Sequence, residues 1–137
     1  MRYLVAVDGS AVSDEAVSYA AEHAAATGAT LVLGHVITNG AEFVDGELVR
    51  PSEETLLEAG EDVLDRARER AESTADVTVE TELLSGRPAD AIVEFATDGA
   101  DAIYVGHRGL SKKREQVVGS VAKTIVDRAT VPVTVVR

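Results

Sequence analysis

Short apolar runs alternate with stretches of helical periodicity from one end of this 137-residue chain to the other. Residues 3–7, 30–37, 102–105 and 131–136 are rich in Val, Leu and Ile, and turn residues bound them. Runs this short with little polar interruption suit strands buried on both faces. A further run, 77–84, sets Val and Thr against Glu in alternation, which predicts a strand with one exposed side, at a sheet edge. Between the runs, apolar residues recur at three- and four-residue spacings. The resulting order β-α-β-α-β-α-β-α-β predicts an α/β fold: a doubly wound, five-stranded parallel sheet with helices on both faces.

The helical stretches carry their own punctuation. Ser13 is placed as the N-cap of the first helix, with Asp14 and Glu15 in its first turn. Ala16, Val17, Ala20, Ala21 and Ala24 form its inner stripe, and Gly28 fits the position just past its end. Residues 38–51 read as the longest loop, with Asn39-Gly40 and Gly46 as turn signals. Ser52 caps a second helix with Leu56, Leu57, Val63, Leu64, Ala67 and Ala71 facing inward. Pro88 opens a third helix, lined by Ala91, Ile92, Phe95 and Ala96 and ended by Gly99. The fourth runs from near Gly119 to Arg128, with Val121, Ile125 and Val126 inward.

Length and composition exclude several classes. The whole span 1–137 is expected to be one domain with a single core. There is no Cys, so disulfides and thiolate metal sites are ruled out. The chain enters a strand pattern at once, which leaves no room for a signal peptide, and no apolar run approaches the ~20 residues that span a bilayer. A cytoplasmic protein without a membrane partner is expected. The net charge of −11 argues against nucleic acid as a partner. All three lysines lie within 106–123, where Arg108, Lys112, Lys113, Arg114 and Lys123 oppose only Glu115. A positive island on an acidic protein suits a small polyanion, and a solvated basic loop is the plainer alternative. The acidic remainder, with ten Arg and three Lys in the chain, fits a surface adapted to high salt.

The strongest chemical signal is Gly106-His107-Arg108-Gly109 followed, after nine residues, by Gly119-Ser120. Glycines let backbone approach a bulky anion, and a helix start offers free N–H groups and a positive dipole end. Strand, glycine turn and helix N-terminus together make a phosphate site. In a doubly wound sheet, ligands bind at the carboxyl ends of the strands, where strand order reverses. Asp8, Val36 and Gly106 each fall at such an end. Among the histidines, His35 lies inside an apolar strand and reads as a core residue, His23 sits mid-helix among alanines, and His107 flanks the phosphate turn. No His cluster suggests a metal site.

These segments resemble the universal stress protein family, in its ATP-binding branch, almost end to end. The resemblance rests on Leu4-Val5-Ala6-Val7-Asp8-Gly9-Ser10, on Gly34-His35-Val36, on Gly86-Arg87-Pro88 and on the Gly-two-Gly-nine-Gly-Ser spacing. It implies a Rossmann-like fold of the adenine nucleotide alpha hydrolase-like kind. It implies that Gly106, Gly109, Gly119 and Ser120 surround a triphosphate, with the Ser120 and Val121 amides as donors. Asp8 would sit on the ribose or metal side, Val36 would offer main-chain groups to the adenine edge, and Ala6 and Val7 would line the adenine slot. Val105 and Arg108 are also among the nucleotide-binding residues that the resemblance implies. ATP is the implied cofactor, and any Mg²⁺ would arrive with it. In similar proteins the last strand pairs across a two-fold axis, which implies a homodimer through 131–136; burial under a helix of the monomer is the other arrangement.

Two functions remain open at this stage. One is a nucleotide-dependent stress-response regulator or switch with at most slow hydrolysis, whose downstream protein partner the residues do not name. The other is a true ATPase or nucleotidyl-transfer enzyme on the same scaffold. The sequence has no GxxxxGK[ST] motif, and Asp8-Gly9-Ser10 stands where nucleotidyl transferases of related architecture carry His-x-x-His. Neither feature supplies a catalytic residue. An interaction protein with a vestigial site is a third reading, which the intact motif disfavours. The acidic surface carries its own test: screening should relieve its self-repulsion, so the unfolding midpoint should rise from low to molar KCl. A midpoint independent of salt would refute the high-salt adaptation.

Overall fold

The computed structural model describes residues 1–38, 42–107 and 118–137. Its elements follow the alternation read from the sequence. Strand β1 (Arg2–Ala6) leads to α1 (Ala11–Thr27), β2 (Thr30–Ile37), the short strands β3 (Glu42–Val44) and β4 (Glu47–Val49), and α2 (Glu53–Thr74). Then come β5 (Val79–Ser85), α3 (Pro88–Gly99), β6 (Ala102–Gly106), α4 (Ser120–Arg128) and β7 (Val133–Val136). Five strands form one parallel sheet in the order β5-β2-β1-β6-β7. The chain builds outward from β1 through β2 to β5, then returns to β6 on the other side. Strand order therefore reverses between β1 and β6.

Two apolar layers hold the helices to the sheet. On one face, Val5, Leu31, Leu33 and Tyr104 pack under the alanine stripe of α1 and under Leu64, Ala67 and Ala71 of α2. On the other, Leu4, Val32, Ile103 and Val105 pack under Ala89, Ile92 and Ala96 of α3 and Ala122 and Ile125 of α4. The small residues of α1 let its backbone lie close to the strands. Gly28 takes the left-handed conformation at φ 75° and ends α1. Pro88 opens α3, and β5 lies at the sheet edge, both as expected.

Several details differ from the sequence reading, each for a local reason. The N-cap of α1 is Ser10, whose hydroxyl accepts from the Ser13 amide; Ser13 is buried in the first turn and serves another purpose, described below. The 38–51 loop contains the antiparallel hairpin β3–β4, closed by Asp45 at φ 50° and Gly46 at φ 81°, which is the positive-φ pair that a two-residue hairpin turn requires. Its strands are too short to show a period. Asn39 and Gly40 lie outside the described residues. Leu57 of α2 is exposed, and so are Val121 and Val126 of α4, whose inner face is formed by Ala122 and Ile125 instead.

All three tyrosines of the chain meet on the α1 face of β6. The rings of Tyr3 and Tyr19 lie 5.6 and 6.2 Å from that of Tyr104. His23, which looked unremarkable mid-helix, stacks on Tyr19 at 4.2 Å, and its Nδ1 is 3.1 Å from the Tyr104 hydroxyl. Burial, with Tyr3 and Tyr19 adding to it, raises the Tyr104 phenol above its ordinary value of 10.0.

Candidate functional site

The carboxyl ends of β1 and β6 meet α1 and α4 at the point where strand order reverses, and hydrogen bonds fix each segment there. After β1 the chain turns through Gly9 at φ 83°. Asp8 Oδ1 accepts from the Ser10 amide at 2.9 Å, and the Asp8 amide donates to Ser13 Oγ at 3.1 Å. The Ser13 amide in turn donates to Ser10 Oγ at 3.2 Å. Ser10 and Ser13, both buried, thus clamp the Asp8 turn from below while Asp8 itself stays exposed. Sequence reading missed this pair because either serine alone satisfies an N-cap pattern.

On the β6 side, His107 continues the ladder by one step, its amide donating to Val136 O at 2.8 Å. Its carbonyl accepts from the Gly119 amide, which ties the start of α4 to the end of β6 across the intervening loop. Gly119 is the N-cap of α4 and supplies no side-chain cap, so the first amides of the helix keep their capacity for an outside acceptor. Ser120 and Val121 are exposed at this end. The His107 ring is buried, 6 % exposed, and neither of its nitrogens has a hydrogen-bond partner among the described residues.

Gly106 has a structural reason of its own. A Cβ there would collide with the side chain of Val12 and lie 3.2 Å from the Val12 carbonyl carbon and oxygen. The missing side chain lets β6 press against the first turn of α1 and closes the floor of the crevice. Val105 and Val7 are buried in the two core layers, and Ala6 and Val36 are half-buried, packed on the α3–α4 layer. Neither main-chain group of Val7 is free, since its amide donates to Gly34 O at 2.8 Å and its carbonyl oxygen lies 2.6 Å from His35 Nδ1. Arg108 and Gly109 lie outside the described residues, as do Lys112, Lys113, Arg114 and Glu115.

Of the expected residues, the structure brings Ala6, Val7, Asp8 and Val36 to one side of the crevice floor and Val105, Gly106, Gly119, Ser120 and Val121 to the other. The amides of Val7, Asp8, His107 and Gly119 are engaged within the fold, so the main-chain donors left for an outside acceptor among the described residues are those at the start of α4, at Ser120 and Val121. Among the described residues no group of three His, Asp or Glu side chains is placed to hold a metal. A shallow depression of about 480 Å³ lined by Glu72 to Val77 lies at the opposite pole, near the amino end of β5.

A model of the universal stress protein family matches residues 1–137. The chain belongs to the universal stress protein family. Universal stress protein YxiE of Bacillus subtilis is 32% identical to it, over 99% of this chain and 98% of that one. A universal stress protein of Thermus aquaticus is 34% identical, over 98% and 96%. Among solved structures, a universal stress protein in complex with cAMP is similar at a TM-score of 0.76 and 29% identity, covering 100% of this chain and 96% of that one. The universal stress protein of Archaeoglobus fulgidus in complex with dAMP is similar at 0.77 and 28%, covering 100% and 98%.

The close approach at Gly106 makes a prediction independent of any ligand. Gly106→Ala should destabilise the ligand-free protein by about 1–3 kcal/mol, because the Val12 backbone cannot yield as a side chain would. Denaturant unfolding without nucleotide checks this. An unchanged midpoint would mean that the packing of β6 against α1 does not depend on the glycine.

Proposed function

We propose that this protein binds an adenine nucleotide, ATP with its Mg²⁺, in the crevice between the ends of β1 and β6, and that it works as a cytoplasmic, nucleotide-dependent stress-response regulator. The observation that carries this reading is the bond from the Gly119 amide to the His107 carbonyl. It sets the uncapped N-terminus of α4 beside the end of β6, where a phosphate would meet helix amides and the positive dipole end. Two similar proteins have adenine nucleotides, cAMP and dAMP, in their crystals, which supports the same ligand class here. Gly106, Gly109, Gly119 and Ser120 hold the phosphates in this reading, with the Ser120 and Val121 amides as donors and Arg108 beside the turn. Ala6, Val7, Val36 and Val105 form the base side, and Asp8 stands at the ribose. A metal ion would arrive with the phosphates and keep several of its waters.

Fast hydrolysis needs an oriented water and a group that stabilises charge on the transferred phosphoryl. Main-chain donors at a helix end bind the ground state well but do not orient a water, so a slow switch fits better than an ATPase. Calorimetric titration tests the binding: wild type should bind ATP, and Gly119→Val should abolish binding by blocking backbone approach. Equal affinity in the variant, or no binding by wild type at millimolar ATP, would overturn the site. Turnover of many per second with Mg²⁺ would favour the enzyme.

The homodimer is part of the same proposal. Ile103 N bonds to Pro132 O and His107 N to Val136 O, so residues 132 and 136 direct their main chain inward. By alternation, Val133 and Val135 direct theirs outward, along an unpaired edge. A second copy adding its β7 there covers that edge. Val135→Pro, which removes one outward N–H, should give a monomer by analytical ultracentrifugation; a dimer that survives the change would exclude this edge.

A further inference from the structure

The parallel pairing of β1 with β2 ends at Ala6 opposite Gly34. One half of the next step is present, since the Val7 amide donates to Gly34 O at 2.8 Å. The other half in a continuing ladder is a bond from the Val36 amide back to Val7 O. That bond is not made. Val7 O instead accepts from Nδ1 of His35, at 2.6 Å. A carbonyl only accepts, so Nδ1 carries the proton. The side chain has displaced the backbone from its own ladder.

The consequence falls on Val36. Even-numbered residues of β2 direct their main chain toward β1, as Thr30 N to Met1 O and Val7 N to Gly34 O demonstrate. Val36 thus points its N–H and C=O toward β1 just where the ladder has stopped. A neighbouring donor and acceptor on one residue form the pattern that complements the N1 and N6 edge of adenine. His35 is held for this task from its other side, where Gly60 of α2 lies so close that an added Cβ would sit 3.3 Å from the His35 ring.

We propose that His35 is a positioning residue for base recognition: by taking Val7 O, it ends the β1–β2 ladder early and frees the Val36 main chain to read the base. This rests on the adenine-nucleotide reading of the site. His35 touches no ligand itself. An aliphatic residue at 35 leaves Val7 O without its partner, and the cheapest repair is the ordinary ladder bond from the Val36 amide. The crevice then closes by one hydrogen bond on its base side, while the α4 terminus is untouched.

Wild type, two variants and two nucleotides test this. Wild type should bind ATP more tightly than inosine triphosphate, whose O6 and N1–H invert the adenine pattern. His35→Leu should lose about tenfold in ATP affinity, keep its weaker inosine triphosphate affinity, and so lose discrimination. Its Val36 amide should become more protected in hydrogen exchange. His35→Asn, whose amide nitrogen stands close to the place of Nδ1, should restore discrimination. A plainly structural role would lower the unfolding midpoint and weaken both nucleotides alike; that result, or unchanged discrimination in His35→Leu, overturns the proposal. If wild type binds neither nucleotide, the nucleotide reading itself fails, and the Val36 exchange rates still decide whether His35 ends the ladder.

Discussion

Strand β1 is hydrogen-bonded along both edges, to β2 and to β6, and is covered on both faces by helices. Leu4 and Val5 have no exposed surface at all. A strand enclosed in this way meets solvent only at its ends, and at its carboxyl end the connections leaving β1 and β6 lead to helices on opposite faces, α1 and α4. Every group at the candidate site is placed by this enclosure. The Asp8 turn stands at the end of β1, His35 reaches back from the next strand, and Gly106 lets the other neighbour close against α1.

The enclosure also explains what was legible in the sequence. Strands buried on both faces become uninterrupted apolar runs, so 3–7, 30–37 and 102–105 identify themselves without alternation. The edge strand β5 keeps one wet side and shows it as Val and Thr against Glu. The strand end at Gly106 and the helix start at Gly119-Ser120 were legible because each has a local signal, an apolar run that stops and a glycine before a periodic segment. What could not be read depends on choices between equivalent neighbours. Ser10 and Ser13 both fit an N-cap, and only the Asp8 turn decides which one caps and which one clamps. In α4, Val121, Ala122, Ile125 and Val126 are all apolar, so periodicity leaves the inner face ambiguous by one residue. The tie between Gly119 and His107 fixes the helix rotation and turns Val121 and Val126 outward.

His35 illustrates a different limit. As a polar residue in an apolar strand it reads as a core histidine with a satisfied ring, and the 2.6 Å bond to Val7 O agrees. The meaning of that bond appears only once strand register is known. The same hydrogen bond elsewhere along the ladder would compete with the sheet at a cost. At the last rung it exchanges one donor for another, with little net change in energy. Strand ends are therefore where side chains can rewrite main-chain pairing cheaply, and binding sites of doubly wound sheets gather at the same ends.

The hairpin β3–β4 stands apart from this economy. An isolated two-stranded hairpin is marginal in water, yet this one exposes Val44, Leu48 and Val49 and pairs with no other strand among the described residues. The strand ends of β1 and β6 show the opposite balance, with main-chain groups set by a buried sheet. Under the proposed reading, donors of that kind contact the phosphates of the ground state and of the transition state almost equally. Uniform binding lowers the free energy of the bound nucleotide without lowering the barrier to its hydrolysis. Under that reading, a site made of helix amides and a freed strand end is suited to holding a nucleotide rather than to turning it over.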